Sequence, residues 1–195
     1  LMYCYPEEIT DDLIAVIRDE KKIVKYLDMP VQHSSDMMLK RMGRRTNQNE
    51  LRERIQKLRK EVPQIVLRTS LITGFPGETE EEFEELCDFV REIQFERLGV
   101  FPYSKEDGTP AAKMKPQVPQ KIKKQRRDCI MRIQQEIAFK QAQKRIGSVL
   151  DVQIEGAIPE DEVYVARAYM DAPGVDGYVF VKAAKGKLSG TILPV

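Results

Sequence analysis

Three tracts hold side chains that could do chemistry. The richest is RTSLITGFPGET, residues 68–79. Arg68 lies inside an apolar, β-rich run, where an unpaired charge is costly and an anionic partner is required. A ligand carboxylate would serve, and so would a structural acid. Ser70 and Thr73 add hydroxyls, and Gly74 and Gly77 could let a backbone approach a ligand or simply make a tight turn. The second tract is DMPVQHS, residues 28–34. Its Gln32 amide can bond a ribose or a base edge. His33, the single histidine of the chain, reads either as a functional base or as a satisfied structural residue. The third is FPYSKEDGTPA, residues 101–111, whose Ser104, Glu106, Asp107 and Thr109 face a site or form an exit loop. Cysteines occur at 4, 87 and 129, with no local metal-ligand spacing and no disulfide framework. Cys87 and Cys129 read as small buried hydrophobes.

Each tract follows an apolar run, and helix-period segments separate the runs. Strands are expected at Leu1–Tyr5, Val24–Val31, Ile65–Thr73 and Arg97–Tyr103. Thr10 is placed to cap a helix carrying Leu13, Ile14 and Ile17, with Asp11 and Asp12 favouring its dipole. Ser34 or Ser35 starts a short helix with Met38, Leu39 and Met42 that Gly43 ends. Asn47/Glu50 and Thr79/Glu82 have capping-box spacing. The first pair predicts a helix burying Leu51, Ile55, Leu58 and Val62. The second predicts a helix over 80–93. Repeated strand–helix units imply a parallel sheet with right-handed crossovers, whose sites gather at the carboxyl ends of the strands. Residues 104–118 read as loop. A long helix over 120–145 follows, with a stripe of Ile122, Cys129, Ile130, Ile133, Ile137 and Phe139 and a C-cap at Gly147. Beyond Gly147 the period becomes two: SVLDVQIEG, VYVARAYM, GYVFVKA and a possible fourth strand from Gly190 predict a small β-barrel of the OB kind. Its last strand is expected beyond Val195.

Charge divides along the same lines. The chain carries net −5 over 1–112, +9 over 113–146 and −3 over 147–195. The basic helix could hold phosphates or be a solvated face, and no aromatic platform interleaves its lysines. No apolar run approaches 18 residues, which excludes a membrane-spanning helix, and the start lacks a signal-peptide pattern. Sparse cysteine fits a reducing cytoplasm.

YCYPEEIT, YLDMPVQHSSDMMLKRMGRR, RTSLITGFPGETEEEFEEL, RLGVFPYS and DGTPAA, in this order, resemble the methylthiotransferase branch of the radical-SAM enzymes. The resemblance spans essentially the whole chain. It implies an α/β fold, the second half of a radical-SAM (βα) partial TIM-type barrel over 1–112. The basic helix over 113–146 closes the barrel and links it to a small all-β, OB-like TRAM domain over 147–195. It implies S-adenosylmethionine and two 4Fe-4S clusters. CxxxCxxC does not occur here, so the cluster ligands are expected outside this chain, and the piece alone is expected to be inactive, with Leu1–Tyr5 as an exposed strand edge. By position, Gln32, Arg68, Ser70, Ile72, Gly74 and Phe75 become candidate cofactor contacts. Arg68 would take the methionine carboxylate, and Ile72 and Phe75 would pack on adenine.

The tract VARAYMDAPGVDGYVFV, residues 165–181, is similar to the branch that modifies an aspartate of a small-subunit ribosomal protein. Asp171, Asp176 and Tyr178 are its candidate substrate contacts. An acidic barrel suits a basic ribosomal protein better than RNA. The full-length protein is expected to be a cytoplasmic monomer without membrane contact. The alternatives are methylthiolation of a transfer-RNA adenosine and a non-catalytic RNA- or protein-binding module.

Overall fold

The computed structural model describes residues 1–158, 162–183, 186 and 189–195. Thr10 caps α1 (Asp11–Asp19) by accepting the Leu13 N–H at 3.2 Å. Next come β1 (Tyr26–Asp28) and α2 (Asp36–Arg41). Both predicted capping boxes are formed, on α3 (Gln48–Glu61) and α4 (Glu80–Ile93), and they flank β2 (Val66–Thr73). β3 (Arg97–Pro102) completes a parallel sheet in the order β1-β2-β3. Asp28 lies beside Arg68 and Arg68 beside Arg97, while Ile72 pairs with Phe101.

Alternation along β2 sorts its two faces. Leu67 and Leu71 join Leu27 and Val100 in the main core, under Ile14, Ile17, Leu51, Ile55, Leu58, Phe83, Leu86 and Phe89 from the helices. Arg68, Ser70 and Ile72 are only half-buried on the opposite face. β1 is shorter than its apolar run because Pro30 donates no hydrogen bond and Gln32 turns to φ 69°; pairing resumes at a single Gln32–Leu71 bridge. Leu1–Tyr5 is not a strand. It runs beside β1, with the Leu1 and Asp28 backbones bonded at 3.0 Å and Cys4 N donating to Asp28 O at 2.9 Å, but Tyr3 at φ 59° breaks the ladder.

The loop expected over 104–118 contains a short helix, α5 (Pro110–Lys113), capped by Thr109. α6 (Gln120–Gln143) packs on α4 and β3. It buries Ile130 and Ile137 as expected, and also Lys123, Arg126 and Gln134; Phe139 is exposed. The helix stops before Gly147, with Lys144 as its cap; Gly147 takes φ 85° beyond the last turns.

An antiparallel sheet follows, made of β4 (Asp151–Ile158), β5 (Val163–Ala168), β6 (Val179–Lys182) and β7 (Ile192–Pro194) in the order β6-β5-β4-β7. A bulge between Ile154 and Gly156 bends β4 and helps the sheet to curl. Val152, Ile154, Tyr164, Ala166 and Val181 form its core. Tyr26 and Val66, from the start of β1 and β2, belong to that same cluster, so the second sheet packs on the amino-terminal end of the first.

Candidate functional site

The face of the parallel sheet turned away from the helices carries Arg68, Ser70 and Ile72 on β2, with Arg97, Gly99 and Phe101 in register on β3. Gln32 reaches this face from the end of β1, locked by Gln32 N to Ser70 O at 2.9 Å and Ile72 N to Gln32 O at 2.8 Å. Its side-chain amide and the Ser70 hydroxyl have no hydrogen-bond partner among the described residues. Phe101 is 55% exposed, and its ring lies over Gly99. The carboxyl half of this face therefore offers an amide, a hydroxyl and an apolar shelf, which suits a ligand with both polar and planar apolar parts.

The GFPGET turn beyond β2 is held from below. Glu78 is buried; its carboxylate accepts the Gly74 N–H and, at 3.1 Å, the Phe75 N–H, and Arg126 lies 3.1 Å away. Burial pushes the Glu78 carboxyl up to about 7, against the pull of Arg126 and the two N–H groups. A Cβ at Gly74 would overlap Lys123, and one at Gly77 would overlap the Arg41 guanidinium. These glycines thus make room for the chain's own side chains. Lys123 donates to Tyr103 O at 3.0 Å and lies over the Tyr103 ring.

At the opposite end of the sheet, an ion pair within the sheet sits beside polar contacts that join it to the second sheet. Arg68 Nη1 meets Asp28 Oδ1 at 2.8 Å, and its Nε lies 3.8 Å from Asp176. Tyr26 donates its hydroxyl to Asp176 at 2.6 Å. Arg97 Nη2 meets Asp171 Oδ1 at 2.6 Å. Asp171 and Asp176 also brace their own loop, accepting the Ala168 and Ala172 N–H groups at 3.1 and 2.9 Å.

Comparison with known proteins agrees with this architecture. Residues 2–90 match the model of the Radical SAM superfamily, and residues 146–195 match that of the TRAM domain. A curated relative from Lachnoclostridium phytofermentans, ribosomal protein uS12 methylthiotransferase RimO, is 58% identical over 195 residues, all of this chain and 44% of that protein. RimO proteins of Caldanaerobacter subterraneus (49%, again all of this chain and 44% of the relative) and Desulfitobacterium hafniense (51% over 181 residues, 93% of this chain and 40% of the relative) align similarly. The chain belongs to the radical-SAM methylthiotransferase family. It spans less than half the length of these relatives. Among solved structures, coproporphyrinogen III oxidase (HemN) from Escherichia coli, a radical-SAM enzyme, superposes with a TM-score of 0.53 at 26% identity, over 82% of this chain and 35% of that one.

Within the chain the expected site residues separate. Gln32, Ser70 and Ile72 share the open face. Gly74 lies at its rim, against α6. Arg68 is on the same face but at its amino-terminal end, and its anionic partner is Asp28, the structural acid, instead of a ligand carboxylate. Phe75 leaves the face altogether: it is buried with Met38 and Tyr103, its ring edge-on to Tyr103 at 5.1 Å. It has no free face for adenine. Asp171 and Asp176 bind the neighbouring sheet, while Tyr178 is 51% exposed. His33 is fully buried and accepts the Ser35 N–H through Nδ1 at 3.0 Å, a structural role. Sequence reasoning missed Phe101, which only the strand register aligns with Ile72, and Glu78, whose buried anchoring role is hidden inside a turn and capping signal. Among the described residues, no group of three or more His, Cys, Asp or Glu is placed to hold a metal ion. S-adenosylmethionine does fit the open face, which presents free polar groups beside an apolar surface.

Proposed function

We propose that this chain is the cofactor-facing and TRAM portion of an enzyme that methylthiolates an aspartate of ribosomal protein uS12, using S-adenosylmethionine. The observation that carries the reading is the joint one: relatives named uS12 methylthiotransferase align along the whole chain, and Gln32 and Ser70 stand unpartnered where a parallel barrel binds its ligand. When bound, S-adenosylmethionine supplies the radical chemistry needed at an unactivated carbon. The chain's own residues bind and orient it. The Gln32 amide reads the ribose or base edge, Ser70 adds a hydroxyl, the backbone from Ile72 to Gly74 borders the cofactor, and Ile72 supports its planar part. The two 4Fe-4S clusters take their ligands from outside this chain. Among the described residues no helix is long and apolar enough to cross a membrane.

Calorimetry with S-adenosylmethionine on the full-length, cluster-loaded protein tests the site. Gln32→Ala is expected to weaken binding about tenfold, near the upper end of what one lost hydrogen bond contributes. Unchanged affinity in a Gln32→Ala/Ser70→Ala double variant would remove this face from the cofactor site.

A further inference from the structure

The cysteines at 4, 87 and 129 are free thiols, and two of them meet. Cys87 lies on α4 and Cys129 on α6. The two helices run the same way. Near their starts Arg126 Nη2 donates to Glu80 Oε2 at 2.7 Å, and just past the end of α4 the Gln134 amide donates to Phe95 O at 2.9 Å. Between these points the Arg126 guanidinium lies over the Phe83 ring, 5.1 Å from its centre. One helical turn on from Phe83 is Cys87, and one turn on from Arg126 is Cys129. The packing therefore sets the two thiols against each other, and they share a hydrogen bond.

Their surroundings differ. Cys87 is 4% exposed, inside the main core. Burial, together with the neighbouring Cys129 sulfur, pushes its pKa up to about 12, against the pull of Arg91. Cys129 is only half-buried, and Gln125, Asp128, Met131 and Arg132, which flank it on the helix, line a shallow surface groove. A buried thiol by itself is inert, and a half-exposed thiol by itself oxidises step by step. Side by side they make an accessible attacking thiol with a protected resolving partner.

We propose that Cys87 and Cys129 are an oxidative modification site, at which hydrogen peroxide closes a disulfide that pins α6 to α4. The Cys129 sulfur attacks one peroxide oxygen; the O–O bond breaks, leaving a sulfenic acid and one water. The Cys87 sulfur then displaces the sulfenic hydroxyl. The S–S bond forms, and the hydroxyl leaves with the Cys87 proton as a second water. Two thiols are oxidised and one peroxide is reduced to two waters. The bond lies one turn from Arg126, which braces Glu78 beneath the GFPGET turn, so it locks the helix that supports that turn. The site is independent of S-adenosylmethionine and of the methylthiolation reading.

The test exposes full-length, cluster-loaded protein to hydrogen peroxide, caps the remaining thiols with N-ethylmaleimide and maps the peptides by mass spectrometry. The expected product is a cross-linked pair of peptides holding Cys87 and Cys129, two hydrogens lighter than their sum and split by dithiothreitol. In Cys87→Ser, Cys129 should stop as a sulfenic acid that dimedone captures. In Cys129→Ser, Cys87 should stay reduced under the same exposure. Dithiothreitol should lower the melting temperature of the oxidised parent protein by about 5 °C, because the bond closes a long loop. Cys129→Ser, treated alike, should show no such shift. Mapping of the parent protein decides the matter even where a core serine unfolds a variant. Recovery of both thiols unmodified, oxidation of Cys129 to a sulfinic acid without the cross-link, or a link from Cys129 to a different cysteine would overturn the proposal. So would a melting temperature that dithiothreitol leaves unchanged.

Discussion

The imidazole of His33 is sealed from water, with Nδ1 satisfied by the Ser35 N–H and Nε2 facing no partner. Desolvation, helped by the nearby Arg126 charge, pulls its pKa from 6.5 down to about 3. The unfolded chain therefore takes up this proton first as pH falls. The contribution of His33 to stability is complete above pH 6.5 and is lost towards pH 3, at about 1.4 kcal/mol per pH unit. Glu78 works in the opposite sense: with a folded pKa near 7 against an ordinary 4.5, it favours the folded state as pH drops between those values. His33→Asn, whose Oδ1 can replace Nδ1 as an acceptor, isolates the first effect. Urea titrations from pH 7 to 4 should show a shallower acid loss in the variant, and an unchanged slope would contradict the neutral, buried imidazole. Arg68 and Asp28 form a second residue-scale test. Arg68→Ala leaves the fully buried Asp28 without its cation and is expected to cost about 3–5 kcal/mol. Arg68→Met/Asp28→Asn should recover most of that, as read from urea midpoints.

The local elements were largely legible in the sequence, because their signals are local. Thr10, Asn47 and Thr79 cap where their side chains predict, and α4 runs over the expected 80–93. The apolar run of β2 and the period-two runs after Gly147 also became strands. What the sequence hid was pairing between elements. Arg68 clearly needed an anion, but only the register of β1 beside β2 places Asp28 there. The +9 segment looked like a solvated helix, yet Lys123 and Arg126 are buried because Tyr103 O, Glu78 and Glu80 receive them across the turn. The glycines of that turn follow the same logic and give an element-scale prediction. Gly74→Ala faces both a φ of +70° and a clash with Lys123, and should lose about 2–4 kcal/mol. Gly108→Ala, with φ +84° and open space, should lose only about 1 kcal/mol. Thermal melts that ranked the two equally would refute the packing role of Gly74.

At the scale of the molecule, the parallel sheet and the TRAM sheet share a core through Tyr26 and Val66 and are joined by the Asp171 and Asp176 contacts. The loop that in sequence looked like a substrate-reading surface is thus also the joint that holds the TRAM sheet to the end of the parallel sheet. Asp171→Asn/Asp176→Asn should loosen it. Limited proteolysis should then cut faster around residues 144–150 while each part keeps its secondary structure; an unchanged cleavage rate would mean that the apolar contact alone holds the two together. This arrangement suits the proposed reading, in which the chemistry meets a large partner at a fixed place. The most direct test of that account is mass spectrometry of ribosomal protein uS12 and of transfer RNA after incubation with the full-length, cluster-loaded enzyme, S-adenosylmethionine, a sulfur source and reductant. A methylthio mass gain on a single uS12 aspartate, with transfer RNA unchanged, is the predicted result. A gain on transfer RNA alone would contradict it.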